Sequence, residues 1–134
     1  MAPQFTILII EDDAGVTALI YEVLSCNGYR VITVDSIQEA ERALQRFGPA
    51  EIHLVISDIH LTPNYDGWEG YALYQRWAVA HPGLPFILIS ASPQSRELPA
   101  VRAQAVRFLE KPFAIHALLH CVQEAIERAL PLTP

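Results

Sequence analysis

Five short apolar runs, each followed by a stretch of helical period, limit this chain to very few architectures. Phe5 to Ile10, Tyr29 to Val34, Ile52 to Ser57, Pro85 to Ser90 and Ala105 to Leu109 read as strands. Most are apolar almost without interruption, the pattern of strands covered on both faces. Between them, Val16, Leu19, Ile20, Val23 and Leu24 share one helical face, and Ile37, Ala40, Leu44 and Phe47 share another. Ile115, Leu118, Leu119, Val122 and Ile126 make the stripe of a last helix. Asn27-Gly28 closes the first helix, because glycine accepts the left-handed conformation found there. Ser36 with Glu39 forms a capping-box pattern, and Gly48-Pro49 stops the second helix. About five helices alternate with five strands. Such a chain builds an α/β fold, a parallel sheet with helices on both faces and right-handed crossovers.

The 134 residues fit one domain, read here as residues 1–134. Half of them are hydrophobic and 18% are charged, enough apolar surface to bury a core. A net charge of −6 with scattered Lys and Arg excludes a nucleic-acid surface. Cys26 and Cys121 form no C-x-x-C pair and point to buried thiols in a reducing compartment. No apolar run approaches the ~18 residues of a membrane span, and Met-Ala-Pro-Gln opens no secretory signal. The expectation is a cytoplasmic protein that engages neither membrane nor nucleic acid.

In a parallel α/β sheet, ligands bind beyond the carboxyl ends of the strands. The polar residues collect there. The first strand runs into Glu11-Asp12-Asp13, the third into Ser57-Asp58, the fourth into Ser90-Ala91 and the fifth into Glu110-Lys111-Pro112. Carboxylates crowded on one rim repel each other and raise their own pKa values. A hard divalent cation removes that conflict, and oxygen donors without a His or Cys cluster suit Mg2+. A lysine and a hydroxyl on the same rim suit a phosphoryl group. The site reads as one for phosphoryl transfer to a carboxylate.

Four segments carry a resemblance. They are Ile7-Leu8-Ile9-Ile10-Glu11-Asp12-Asp13, Val55-Ile56-Ser57-Asp58, Ile87-Leu88-Ile89-Ser90-Ala91 and Phe108-Leu109-Glu110-Lys111-Pro112-Phe113. In this order, at these strand ends, the chain resembles the receiver domains of two-component response regulators over essentially its whole length. The resemblance implies a flavodoxin-like (βα)5 three-layer sandwich with sheet order 2-1-3-4-5. It implies that Asp58 is the phosphoacceptor and that Glu11, Asp12, Asp58 and the backbone carbonyl of His60 hold Mg2+. Lys111, Ser90 and the backbone amide of Ala91 would contact the phosphoryl group. Ser90 and Phe108 would be the switch pair, and His60 and Ser92 the positions that tune dephosphorylation. Asp13 is read as the cap of the first helix. The Lys111-Pro112 bond is often cis in that family.

A protein of this kind is a phosphoacceptor switch rather than an enzyme, one that assists its own phosphorylation and dephosphorylation. Its implied partners are a histidine kinase or histidine phosphotransfer protein, and a downstream protein contacting residues 92–130. A homodimer is also compatible with the family. The lead reading is a stand-alone receiver. The alternatives are a receiver from a hybrid kinase or larger regulator, an aspartyl-phosphate hydrolase, or a pseudo-receiver. Asp58-Ile59-His60 lacks the second acid of the hydrolase pattern, and a pseudo-receiver would not keep every acid, hydroxyl and lysine.

Some segments depart from the family or fall outside its motifs. The loop after Asp58 is long, and either Gly67 or Gly70 can open the third helix. The Gly70 register is preferred because it buries Leu73, Tyr74 and Trp77. The extra residues are read as an insertion that shapes water access. Ser92 to Pro99 holds two prolines and a weak apolar period, so the fourth helix is expected to be poor. Trp68, Tyr71, Tyr74 and Trp77 are read as helix packing. His116 and His120 lie one turn apart but lack a third metal ligand.

Overall fold

The computed structural model describes residues 4–61 and 67–129. Its strands are β1 (Thr6–Ile10), β2 (Arg30–Val34), β3 (Leu54–Asp58), β4 (Phe86–Ser90) and β5 (Arg107–Glu110). Its helices are α1 (Ala14–Cys26), α2 (Ile37–Phe47), α3 (Glu69–Ala80), α4 (Pro99–Arg102) and α5 (Ile115–Ala129). A 3-10 turn, Pro93–Glu97, precedes α4. All strand pairs are parallel, in the order β2-β1-β3-β4-β5. This is the flavodoxin-like order that the resemblance implies. No helix among the described residues is long and apolar enough to cross a membrane.

The order follows from apolarity. β1, β3 and β4 are buried at every residue and take the centre. β2 and β5 carry Arg30 and Arg107 and take the edges. Side chains alternate across the sheet. Leu8, Ile10, Val55 and Leu88 pack with α2 and α3 on one face. Ile7, Ile9, Leu54, Ile56, Ile87 and Ile89 pack with α1 and α5 on the other.

Local chemistry sets the helix starts. Asp13 takes extended backbone, and its Oδ1 accepts the amides of Gly15 and Val16 at 2.9 and 3.1 Å. Ser36 Oγ accepts the Glu39 amide at 3.2 Å, but Glu39 turns its carboxylate to Arg42. The capping box is therefore half made, because a solvated arginine one turn on is the better partner for a carboxylate. Gly28 has φ 89°, as the end of α1 requires.

The structure corrects several expectations. Strand limits shift by one or two residues. Leu19 and Ile115 are 45% and 51% exposed, because each lies at the margin of its stripe and clears the sheet. Cys26 is exposed at the end of α1, whereas Cys121 is buried, and both are free thiols. The fourth helix is poor, as its two prolines predict: it has four residues, with Pro93 and Pro99 each at the start of its own short turn. Proline lacks an amide there and so starts a turn well but breaks an interior.

Candidate functional site

Sheet register brings the expected residues to one rim. Ile10 pairs with Ser57 and Asp58 with Ile89, so Glu11 and Asp58 emerge side by side. Ser90 pairs with Glu110, and the Lys111 amide donates to the Ser90 carbonyl at 2.9 Å. The peptide bond between Lys111 and Pro112 is cis.

Lys111 Nζ lies 2.5 Å from Glu11 Oε1 and 2.5 Å from Asp58 Oδ2, bridging the two carboxylates. Asp58 is further fixed by the His60 amide, which donates to its Oδ1 at 2.9 Å. Glu11 and Asp58 are almost wholly buried. Burial raises the Glu11 pKa from 4.5 to about 8, and the neighbouring Asp58 adds to the rise while Lys111 opposes it. Repulsion is thus the smaller cause, where the sequence pointed to it alone. Burial alone would lower the Lys111 pKa, but its hydrogen bonds to Asp58 and Glu11 outweigh that and raise it.

Oxygens of Glu11, Asp12 and Asp58 all lie within 4.8 Å of one another, the one such group among the described residues. Three hard oxygen donors, Glu11 giving up its proton as the ion binds, fit a divalent cation of the Mg2+ class. His116 and His120 join no such group, and His120 Nε2 instead lies 3.5 Å from Glu124. An open cleft of about 700 Å³ leads from Glu11 and Asp12 past Tyr21 to Asp35 and Glu39. A larger one, about 910 Å³, lies at the N-terminal ends of β4 and β5 and holds none of these carboxylates.

Ser90 is fully buried, and its Oγ accepts the Ser92 amide and the Ser95 hydroxyl. Ala91 is exposed just beyond β4, and Ser92 is partly buried. Phe108 is partly buried on the α3 face of β5 and also borders the larger cleft. The His60 ring is buried. Its Nδ1 lies 2.5 Å from the Gly67 carbonyl, and its Nε2 has no partner among the described residues. Trp68 packs on that ring at a tilt of 50° with centroids 4.8 Å apart and is 39% exposed. It therefore braces the loop instead of packing α3, unlike Tyr71 and Trp77, which are buried.

α3 opens at Glu69, and Gly70 is the glycine that touches the site. A Cβ there would sit 1.8 Å from the Asp58 carbonyl oxygen. Leu73 and Trp77 are buried as the Gly70 register expects, and Tyr74 is partly so. Residues 62–66 of the loop read as carrying the insertion lie outside the described residues. The sequence reading missed three contacts: the Ser95–Ser90 pair, Tyr71 Oη accepting the Ala100 amide at 3.0 Å, and His53 Nδ1 accepting the Thr6 amide at 2.9 Å. Two of them join residues far apart in sequence and the third depends on the geometry of a short turn, so none leaves a spacing signal.

Known proteins share this arrangement. A family model described as response regulator receiver domain matches residues 7–123. The transcriptional regulatory protein GlrR of Escherichia coli is 32% identical over 95% of this chain and 27% of its own length. The sensor kinase CckA of Brucella abortus is 31% identical over 92% of this chain and 13% of its own. The chain thus spans about a quarter or less of these two relatives. A response regulator receiver domain protein from Clostridium thermocellum superposes with a TM-score of 0.80 at 21% identity, over 92% of this chain and 95% of that one, a likeness of fold. With the match covering nearly every element from β1 through α5, this chain belongs to the response regulator receiver domain family.

Proposed function

We propose that the chain is a single receiver unit that accepts a phosphoryl group on Asp58 from a histidine kinase or histidine phosphotransfer protein. The observation that carries this is the buried Asp58 carboxylate, oriented by the His60 amide and Lys111 beside Glu11 and Asp12. An Asp58 oxygen bonds to phosphorus as the bond from phosphorus to the donor imidazole nitrogen breaks, and the electron pair leaves on that nitrogen. Lys111 stays cationic and faces the oxygens on which negative charge gathers. Glu11, Asp12, Asp58 and the His60 carbonyl would hold Mg2+, which supplies charge neutralisation for the incoming phosphoryl oxygens. Ser90 and the Ala91 amide would bind those oxygens once they arrive.

The output is a shift of a two-state element rather than a chemical product, with Ser90 and Phe108 as its moving parts and residues 92–130 as the face a downstream protein or second copy reads. His60 and Ser92 flank the site and set how fast water removes the group. The buried His60 ring does so through Gly67 and Trp68. This is a switch that assists its own phosphorylation and dephosphorylation, working in the cytoplasm. A receiver inside a longer regulator or hybrid kinase is the second reading. The chain matches 27% of the length of GlrR and 13% of that of CckA, which supports that second reading.

The test is intact-protein mass after incubation with Mg2+ and acetyl phosphate. A gain of one phosphoryl group in the wild type that is absent in Asp58→Ala supports the reading. A gain that persists in Asp58→Ala overturns it.

A further inference from the structure

Ser90 reaches the rim with its hydroxyl already engaged. Its Oγ accepts the Ser92 amide at 3.0 Å and the Ser95 hydroxyl at 2.7 Å. Both serines are 0% exposed. A hydroxyl oxygen has two acceptor positions and one proton. With both acceptor positions filled, the proton is the one bonding capacity Ser90 has left.

The two partners differ in kind. The Ser92 amide can only donate, so it engages one lone pair of Ser90 and leaves the proton untouched. The Ser95 hydroxyl can donate or accept, and its choice decides whether the Ser90 proton is free. Ser95 is the third residue of the 3-10 turn, whose own bonds run from the Ser95 amide to the Ser92 carbonyl (3.1 Å) and from the Leu98 amide to the Ser95 carbonyl (3.2 Å). The segment behind it is tied to α3 by the Tyr71 hydroxyl at Ala100. The short turn that replaces a long fourth helix thus delivers a buried hydroxyl to Ser90.

We propose that Ser95 is a positioning residue for the phosphoryl group: by donating its proton to Ser90 Oγ, it leaves Ser90 free to donate to an oxygen of the group carried by Asp58. A hydroxyl that accepts hydrogen bonds is polarised by them and donates more strongly, more so away from water. Without Ser95, Ser90 keeps its hydroxyl but loses this polarisation and one of the two bonds that set its torsion. The proposal rests on the reading of Asp58 as phosphoacceptor and Ser90 as its contact.

The experiment is beryllofluoride titration with Mg2+, followed by 19F NMR, on wild type, Ser95→Ala, Ser90→Ala and the double variant. Loss of one buried hydroxyl bond predicts that Ser95→Ala binds roughly three- to tenfold more weakly. One bound-fluorine resonance shifts in Ser95→Ala, and the second substitution adds nothing in the Ser90→Ala background. A wild type that does not bind beryllofluoride overturns the site reading and this proposal with it. A wild type that binds, with Ser95→Ala unchanged or tighter, overturns this proposal alone. So does an equal loss from Ser95→Ala in both backgrounds, the mark of a purely structural role. If Ser95→Ala does not fold, hydrogen exchange of the wild type decides. The Ser95 and Leu98 amides keep their protection when beryllofluoride binds, and loss of protection there refutes the proposal.

Discussion

Gly70 governs how closely α3 seats against the end of β3, and a single methyl group measures it. In Gly70→Ala the new Cβ would lie 1.8 Å from the Asp58 carbonyl oxygen, 2.8 Å from its carbon and 3.0 Å from the Ile59 Cα. All three neighbours are backbone, so no side chain can rotate away. The helix must retreat until the closest contact opens from 1.8 Å to at least 3.0 Å. That movement also breaks the bond from the Gly70 amide to the Ile59 carbonyl, now 2.9 Å. Overpacking costs about 1–3 kcal/mol, the lost bond about 1 kcal/mol, and alanine's better helix propensity returns about 1 kcal/mol. The net is about 1–3 kcal/mol of destabilisation. At about 2.1 cal/mol/K of unfolding entropy per residue, the 134-residue chain should lose roughly 4–11 °C in Tm. Gly67→Ala is the control. The nearest neighbours of its Cβ are atoms of the Glu69 carboxylate, from 2.0 Å, which can swing aside, so Tm should stay within about 2 °C. Thermal unfolding followed by far-ultraviolet circular dichroism reads both. Equal shifts in the two variants, or the larger shift in Gly67→Ala, would refute the account of Gly70 as the close-approach residue.

The folded state holds the Glu11 proton up to about pH 8, against 4.5 ordinarily. Its contribution to stability is therefore whole below about 4.5 and is lost as pH rises through about 8. Tm of the Mg2+-free protein should decline over that window, and less so in Glu11→Gln; parallel profiles sink the assignment. Mg2+ needs the ionised carboxylate, so its binding by calorimetry should tighten with pH across the same range. Lys111→Met leaves Glu11 and Asp58 facing each other without a cation, which should push the Glu11 pKa higher still and slow acetyl phosphate labelling of Asp58 at least tenfold. An unchanged labelling rate would remove Lys111 from the mechanism. Asp13→Ala strips two amides at the start of α1 of their acceptor and should cost about 1 kcal/mol in urea unfolding, with the m-value unchanged.

The fold was legible because its signals are local and repeated. Five apolar runs in alternation with three clear helical stripes leave a covered parallel sheet as the one economical solution, and the rule that ligands sit at strand carboxyl ends located the rim. Asp13 and Ser36 were readable as caps because a cap needs only a short side chain and its own next turn. Glu11, Asp58, Ser90 and Lys111 were nameable because each terminates a strand. Their contacts were not. Lys111 lies a hundred residues from Glu11, and only the β1-β3-β4-β5 register decides that its amine falls between two carboxylates. Exposure of Leu19, Cys26 and Ile115 was misjudged for a related reason, since a helical period gives a face but not the width of what covers it. Ser95 and the His60 ring carry no spacing at all. They matter through burial, and burial is a property of the packed chain. The sequence by itself determined the elements, their caps and the chemistry available at the rim. The tertiary structure decided which charges meet, which hydroxyl answers which and how deeply each is removed from water, because those depend on distances between segments that no local pattern encodes.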